Sequence, residues 1–209
     1  MRYQTETGPS PLIFRRTSRR MKWWAGAAIV LLLACAFALM AYRSHRTPLH
    51  LAFPRVQAAG GVLSVGPGAA MPSAQAVHRL LVDVDNDAVM YGKVNARLNT
   101  AAKILNLYAL AGVPAAKVHM VMLFYGSGVN LVLSDAAYRH KFGHANPNAG
   151  LLSQLRKADV KMVACGQATG HQSIAAADVA PGVTMALSAL TAREELQAAG
   201  YGTVPSEAR

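Results

Sequence analysis

The chain has 209 residues, and its first part is not globular, which leaves length for one soluble domain with a real core. Its formal net charge is +11, yet residues 1–46 hold eight of the 21 Lys and Arg against Glu6 alone and so account for +7. The remaining 163 residues carry +4 and no basic run with interleaved aromatics, so nucleic acid is excluded as a partner and the basicity reads as a topology signal.

Residues 1–22 are polar, basic and aperiodic, the composition of a disordered tail. Residues 23–42 contain no charge, and twenty helical residues at about 1.5 Å each match the ~30 Å hydrocarbon core of a bilayer. Trp23, Trp24 and Tyr42 put amphipathic rings where head groups would lie. Arg15, Arg16, Arg19, Arg20 and Lys22 precede this run and only Arg43 and Arg46 follow it closely. That bias predicts a transmembrane anchor with its N-terminus in the cytoplasm and the domain outside, which in a bacterium means an inner-membrane protein with a periplasmic domain. Two other fates stay open. Arg19-Arg20 is a weak match to a twin-arginine signal that would be cleaved, and Leu32-Leu33-Ala34-Cys35 is similar to a lipoprotein box, although the chain stays apolar beyond Cys35.

Residues 43–76 are rich in proline and glycine and read as a linker, within which Val62-Leu63-Ser64-Val65 has the pattern of a short edge strand. The domain then spans 77–204, followed by a tail at 205–209. Its first strand is expected over Val77 to Val84. Asp83, Asp85 and Asp87 follow as in a calcium loop, but Ala88 stands where the turn needs glycine and Val94 where a bidentate glutamate belongs, so they read as loop carboxylates and a helix cap.

Apolar residues recurring at three- and four-residue steps predict a long helix from Val89 to Ala111, stopped by Gly112 and Pro114. Val118 to Tyr125 is apolar on both faces, as a central parallel strand must be, and runs into Gly126-Ser127-Gly128. Leu131 occupies the third glycine position of the dinucleotide fingerprint and no P-loop lysine follows, which argues against a nucleotide. Asn146-Pro147 is a helix start for a run through Leu155 to about Ala158. Val160 to Cys165 is a buried strand ending in a thiol, Val183 to Leu187 a fourth core strand, and Thr191-Ala192-Arg193-Glu194 a capping box for the last helix. Strands alternating with helices predict an α/β domain with a parallel sheet and right-handed crossovers.

Cys165 is the sole cysteine outside the apolar N-terminal run, and it sits at the carboxyl end of a strand, where α/β folds place their ligand sites. A helix or turn beginning at Gly166 would aim backbone N–H groups at the sulfur and favour the reactive thiolate. The other reading is a packed, inert thiol. His171, in the same loop, is either a proton donor to that sulfur or an exposed histidine. His140 and His144 are four apart, but Gly143 breaks the helix that would align them, so no metal and no cofactor is expected.

Asn106-Leu107-Tyr108, Ala111-Gly112-Val113, the apolar strand into Gly126, Asn146-Pro147-Asn148, Cys165-Gly166-Gln167, Leu187-Ser188-Ala189-Leu190-Thr191 and Gly200-Tyr201 resemble, in that order, the DsrE/DsrF-like family. The resemblance covers roughly residues 77–204. It implies an α/β three-layer sandwich with a mostly parallel central sheet, here preceded by one transmembrane helix, and assembly into homo-oligomeric trimers or hexamers. In the best understood members, which act in sulfur oxidation and sulfur relay for tRNA thiolation, a cysteine just after a strand carries sulfane sulfur as a persulfide. Cys165 stands at that position, with Gly126, Ser127, Asn146, Gly166, Gln167 and His171 expected around the pocket. Many relatives have histidine where this chain has Tyr125, and their partners are cytoplasmic, so donor and acceptor here are unidentified. A non-catalytic oligomeric binding module with an inert cysteine is the alternative.

Overall fold

The computed structural model describes residues 31–40, 50–90 and 94–205, in two compact units, 1–49 and 50–209. Of the first unit, residues 31–40 are described, all helical. The expected tail 1–22 and the rest of the expected span 23–42 lie outside the described residues, among which no helix is long and apolar enough to cross a membrane.

The second unit is built on one sheet of five parallel strands. β1 (His78–Val84) and β4 (Val118–Phe124) pair along their whole length at the centre. β5 (Lys161–Cys165) lies outside β4, β6 (Val183–Ala186) forms one edge, and β7 (Gly202–Thr203) the other. From β1 the chain steps through β4 and β5 to β6, then returns across the sheet to β7. Right-handed crossovers in opposite directions put their helices on opposite faces.

One face is therefore thick. Val82, Val84, Met120, Met122, Phe124, Met162 and Ala164 point into it and pack on α1 (Ala96–Leu110) and α3 (Ala149–Lys157). The alternate positions Leu81, Val121, Leu123 and Cys165 point to the other face, under α5 (Ala189–Ala198). The two-residue period of a strand is what sends Ala164 and Cys165 to different layers.

Several expected boundaries move, each for a local reason. The helix predicted from Val89 starts at Ala96, because β2 (Val89–Met90) and β3 (Val94–Asn95) form a small antiparallel hairpin before it. Asn95, not an aspartate, is the N-cap, its Oδ1 accepting from the backbone N–H of Arg97 at 2.9 Å. α3 starts three residues after Asn146, whose Oδ1 accepts from Asn148 N–H at 2.9 Å in the preceding turn. α5 starts before the expected capping box: Ser188 is its cap, accepting from Thr191 N–H at 3.1 Å. The expected fourth core strand is an edge strand, with Thr184 and Met185 exposed.

The expected linker behaves differently in its first half. Residues 50–62 are strapped onto the domain, with Val56 and Val62 buried and Ala52 bridged to Val62. No edge strand continues over Leu63 to Val65, which are exposed. The buried Asn106 amide organises the strap: Oδ1 accepts from the N–H groups of Arg55 (2.9 Å) and Val56 (2.8 Å), and Nδ2 donates to the carbonyls of Val56 (2.9 Å) and Gly60 (3.0 Å). Gln154 Oε1 holds the N–H groups of Gln57 and Ala58 in the same way. Polar side chains on helices thus supply the partners that a strand without neighbours lacks.

Candidate functional site

β5 ends in Cys165, which is also the N-cap of the short helix α4 (Gly166–His171). Its Sγ accepts hydrogen bonds from Ala168 N–H at 3.4 Å and from Ala189 N–H at 3.2 Å. The first donor belongs to α4 and the second is the first residue of α5, so two helix starts converge on one sulfur atom. Gly166 makes this turn possible, since a Cβ there would lie 2.8 Å from the carbonyl oxygen of Ala186. Gln167 ties the same turn to the strand end of β6 by donating from Nε2 to Leu187 O at 3.3 Å.

Cys165 is 5% exposed and lies against a cleft of about 390 Å³ at the carboxyl ends of β4 and β5. Tyr125 and Gly126, following β4, form one wall; Gln167, Ala168, His171 and Gln172 form a second. Ser188, Ala189, Leu190 and Arg193, from the start of α5, form the third. Gly126 adopts φ +54, and a side chain there would meet Asp85 O at 2.5 Å, so glycine lets this wall turn tightly. Gln172 Nε2 donates to Gly126 O at 2.7 Å and joins the first two walls.

Arg193 is the cation of this cleft. Its Nη2 donates to Asp83 Oδ1 at 2.9 Å, and its guanidinium lies 5.3 Å from the centroid of the Tyr125 ring. The hydrogen bond to Asp83 pushes the Arg193 pKa up. Burial, followed by the charge of Asp83, pushes the Tyr125 phenol up, so it stays protonated and can donate a hydrogen bond.

Of the residues singled out in the sequence, Cys165, His171, Gly126 and Gln167 meet at this cleft, and Gly166 shapes the turn behind it. Ser127 does not line it; its hydroxyl accepts from Asp87 N–H at 3.2 Å. Asn146 lies at a different cleft, of about 320 Å³, and donates to Leu131 O at 2.8 Å. Its role is to hold a turn, because α3 packs on the thick face while Cys165 faces the other. His171 is exposed at the rim. Gly143, with φ +75, ends α2 (Asp135–Phe142) and separates His140 from His144; among the described residues no group of three His, Cys, Asp or Glu could hold a metal. Gln172 and Arg193 are cleft residues that the sequence reading does not assign to the site, whereas Tyr125 stands where relatives have histidine and Ser188 lies in one of the motifs that carry the resemblance. Arg193 carries no local signal, since its approach depends on the crossover from β6 to β7.

The model of the DsrE/DsrF-like family matches residues 83–205. No curated protein matches the chain. Among solved structures, a protein of unknown function from Methanobacterium thermoautotrophicum is similar, with 20% identity and a TM-score of 0.48, over 61% of this chain and 97% of that one.

Proposed function

This chain belongs to the DsrE/DsrF-like family, and on that premise we propose that Cys165 carries sulfane sulfur, accepting it as a persulfide and passing it to an acceptor thiol. The observation that supports this reading is the pair of backbone N–H groups, of Ala168 and Ala189, directed at Sγ beside an open cleft. N–H donors fixed by the fold stabilise negative charge on sulfur, and the thiolate is the nucleophile. The thiolate attacks the outer sulfur of a donor persulfide, the donor's S–S bond breaks, and the donor leaves as a thiolate. An acceptor thiolate then attacks the outer sulfur of the Cys165 persulfide and regenerates Cys165. Tyr125 and Gln167 line the cleft beside the sulfur as polar groups, and His171 stands at its rim.

In this reading residues 23–42 anchor the domain to the inner membrane and the domain works in the periplasm, supported by the charge bias around that run. The domain works as a homo-oligomer, trimeric or hexameric. Leu187 and Leu190, exposed at 76% and 73%, support this: they flank an open sheet edge and leave apolar surface for a second copy to cover. Donor and acceptor are partners outside the cytoplasm.

The burial of Cys165 favours a second reading, a binding module in which the thiol is inert. Intact mass of the chain after incubation with polysulfide, beside Cys165→Ala, separates the two. A gain of 32 Da steps (~32 Da per sulfur) that the variant lacks supports the carrier. No gain, with Cys165 closed to alkylation until denaturation, leaves the binding module.

A further inference from the structure

We propose that Arg193 is the specificity-determining residue of this cleft, selecting as sulfur donor a small organic persulfide that bears a carboxylate. This rests on the sulfur-carrier reading and adds the class of donor to it. Arg193 lines the same cleft as Cys165, so a molecule whose sulfane sulfur meets Sγ can present a second group to the guanidinium. The guanidinium has five N–H donors in a planar fork that matches a carboxylate. Asp83 takes one of them at 2.9 Å, and the side chain is stacked over Tyr125. Held from two sides, the fork has little rotamer freedom left to lose when a ligand binds.

The walls decide between organic and inorganic donors. At about 390 Å³ the cleft is in the range of small-molecule sites, and its lining includes the apolar Ala168, Ala189 and Leu190 and the Tyr125 ring beside Cys165 and Arg193. A carbon skeleton covers that apolar surface, whereas a small inorganic anion leaves it wet. Because Asp83 offsets the charge of Arg193, recognition comes from directed hydrogen bonds and not from long-range attraction, and it persists in salt.

The transfer balances without an outside oxidant or reductant. The Cys165 thiolate attacks the outer sulfur of R–S–SH, and a Cys165 Sγ–S bond forms. The donor S–S bond breaks, its electron pair leaves on R–S⁻, and the transferred sulfur keeps its proton.

The test measures the rate of sulfur gain by intact mass on the full chain in mild detergent, less the gain of Cys165→Ala, which reports Cys35 alone, with three donors: N-acetylcysteine persulfide, its methyl ester, and thiosulfate. The acid is expected to load about tenfold faster than the ester, the worth of one charge-assisted hydrogen bond, in low and high salt alike. Arg193→Gln is expected to bring the ratio to about one, and Arg193→Lys to keep part of it. Because unfolded chain loads both donors alike, the ratio for each variant is read below its urea unfolding transition, on samples whose unfolding midpoint has been measured beside the parent's. Equal rates for acid and ester on the unaltered chain overturn the inference, as does an unchanged ratio in Arg193→Gln. Thiosulfate loading as fast as the acid overturns the organic donor. No sulfur on Cys165 from any donor overturns the carrier reading itself, and this inference with it.

Discussion

The sulfur of Cys165 lies 3.2 Å from the backbone nitrogen of Ala189, so the end of one strand and the start of the last helix share a single hydrogen bond. A serine hydroxyl can accept the same bond, and a methyl group cannot. Cys165→Ser should therefore keep stability within about 1 kcal/mol of the parent, while Cys165→Ala, which orphans a buried donor, should lose about 1–3 kcal/mol. Neither variant should gain sulfur at position 165, which leaves Cys35 as the sole thiol in the chain. Urea unfolding and intact mass on the same samples check both statements, and equal stability of the two variants would mean that the bond contributes nothing.

Gly166 stands where an added methyl would meet the carbonyl of Ala186 at 2.8 Å. The obstacle is backbone, which cannot rotate aside, so Gly166→Ala must shift the turn that aims Ala168 at Sγ. A loss of about 1–3 kcal/mol is expected, together with slower native alkylation and sulfur loading of Cys165. Loading at the parental rate would show that the turn tolerates the shift.

Asn106 predicts how the strap 50–62 is held. Asn106→Ala removes four close bonds to buried or half-buried backbone and should cost about 3 kcal/mol. Hydrogen exchange should rise most at Arg55, Val56 and their neighbours while the central strands keep their protection. Uniform loss of protection would show that the strap and sheet unfold as one.

Tyr125 gives a pH dependence with a definite sign. Burial and Asp83 raise its pKa in the folded chain, so above the ordinary tyrosine range the unfolded chain releases the proton first. Stability from this residue is complete below that range and is lost as pH rises through it. Tyr125→Phe should make stability fall less steeply between neutral and strongly alkaline pH; identical slopes in denaturant titrations would contradict it.

Leu187 and Leu190 test the assembly proposed for this domain. Introducing charge at both, Leu187→Glu with Leu190→Glu, should dissociate an oligomer built through this face, because burying carboxylates between copies costs their desolvation. Sedimentation of the parent and the variant reads the result, and an unchanged mass would place the interface elsewhere.

Much of the architecture is legible in the sequence. The apolar run through Phe124 could only be a central strand, the run ending at Cys165 could only be buried, and alternating helices and strands required a parallel sheet. These follow from periodicity, a property of neighbours in the chain. Failures came where a partner far along the chain supplies what local residues lack. Residues 50–62 read as linker from the proline and glycine around them, yet Asn106 and Gln154 hold their backbone from helices. The resemblance implies Asn146 in the pocket of Cys165, yet the two lie at different clefts.

What the sequence determined by itself is therefore the set of strands and the thiol at the end of one of them, since strand alternation and burial are encoded residue by residue. Only the tertiary structure decided what surrounds that thiol. The return of the chain from β6 to β7 across the second face carries Ala189 to the sulfur and Arg193 to Asp83 and Tyr125. No local pattern announces those meetings, because the handedness of a crossover and not the spacing of residues brings them about.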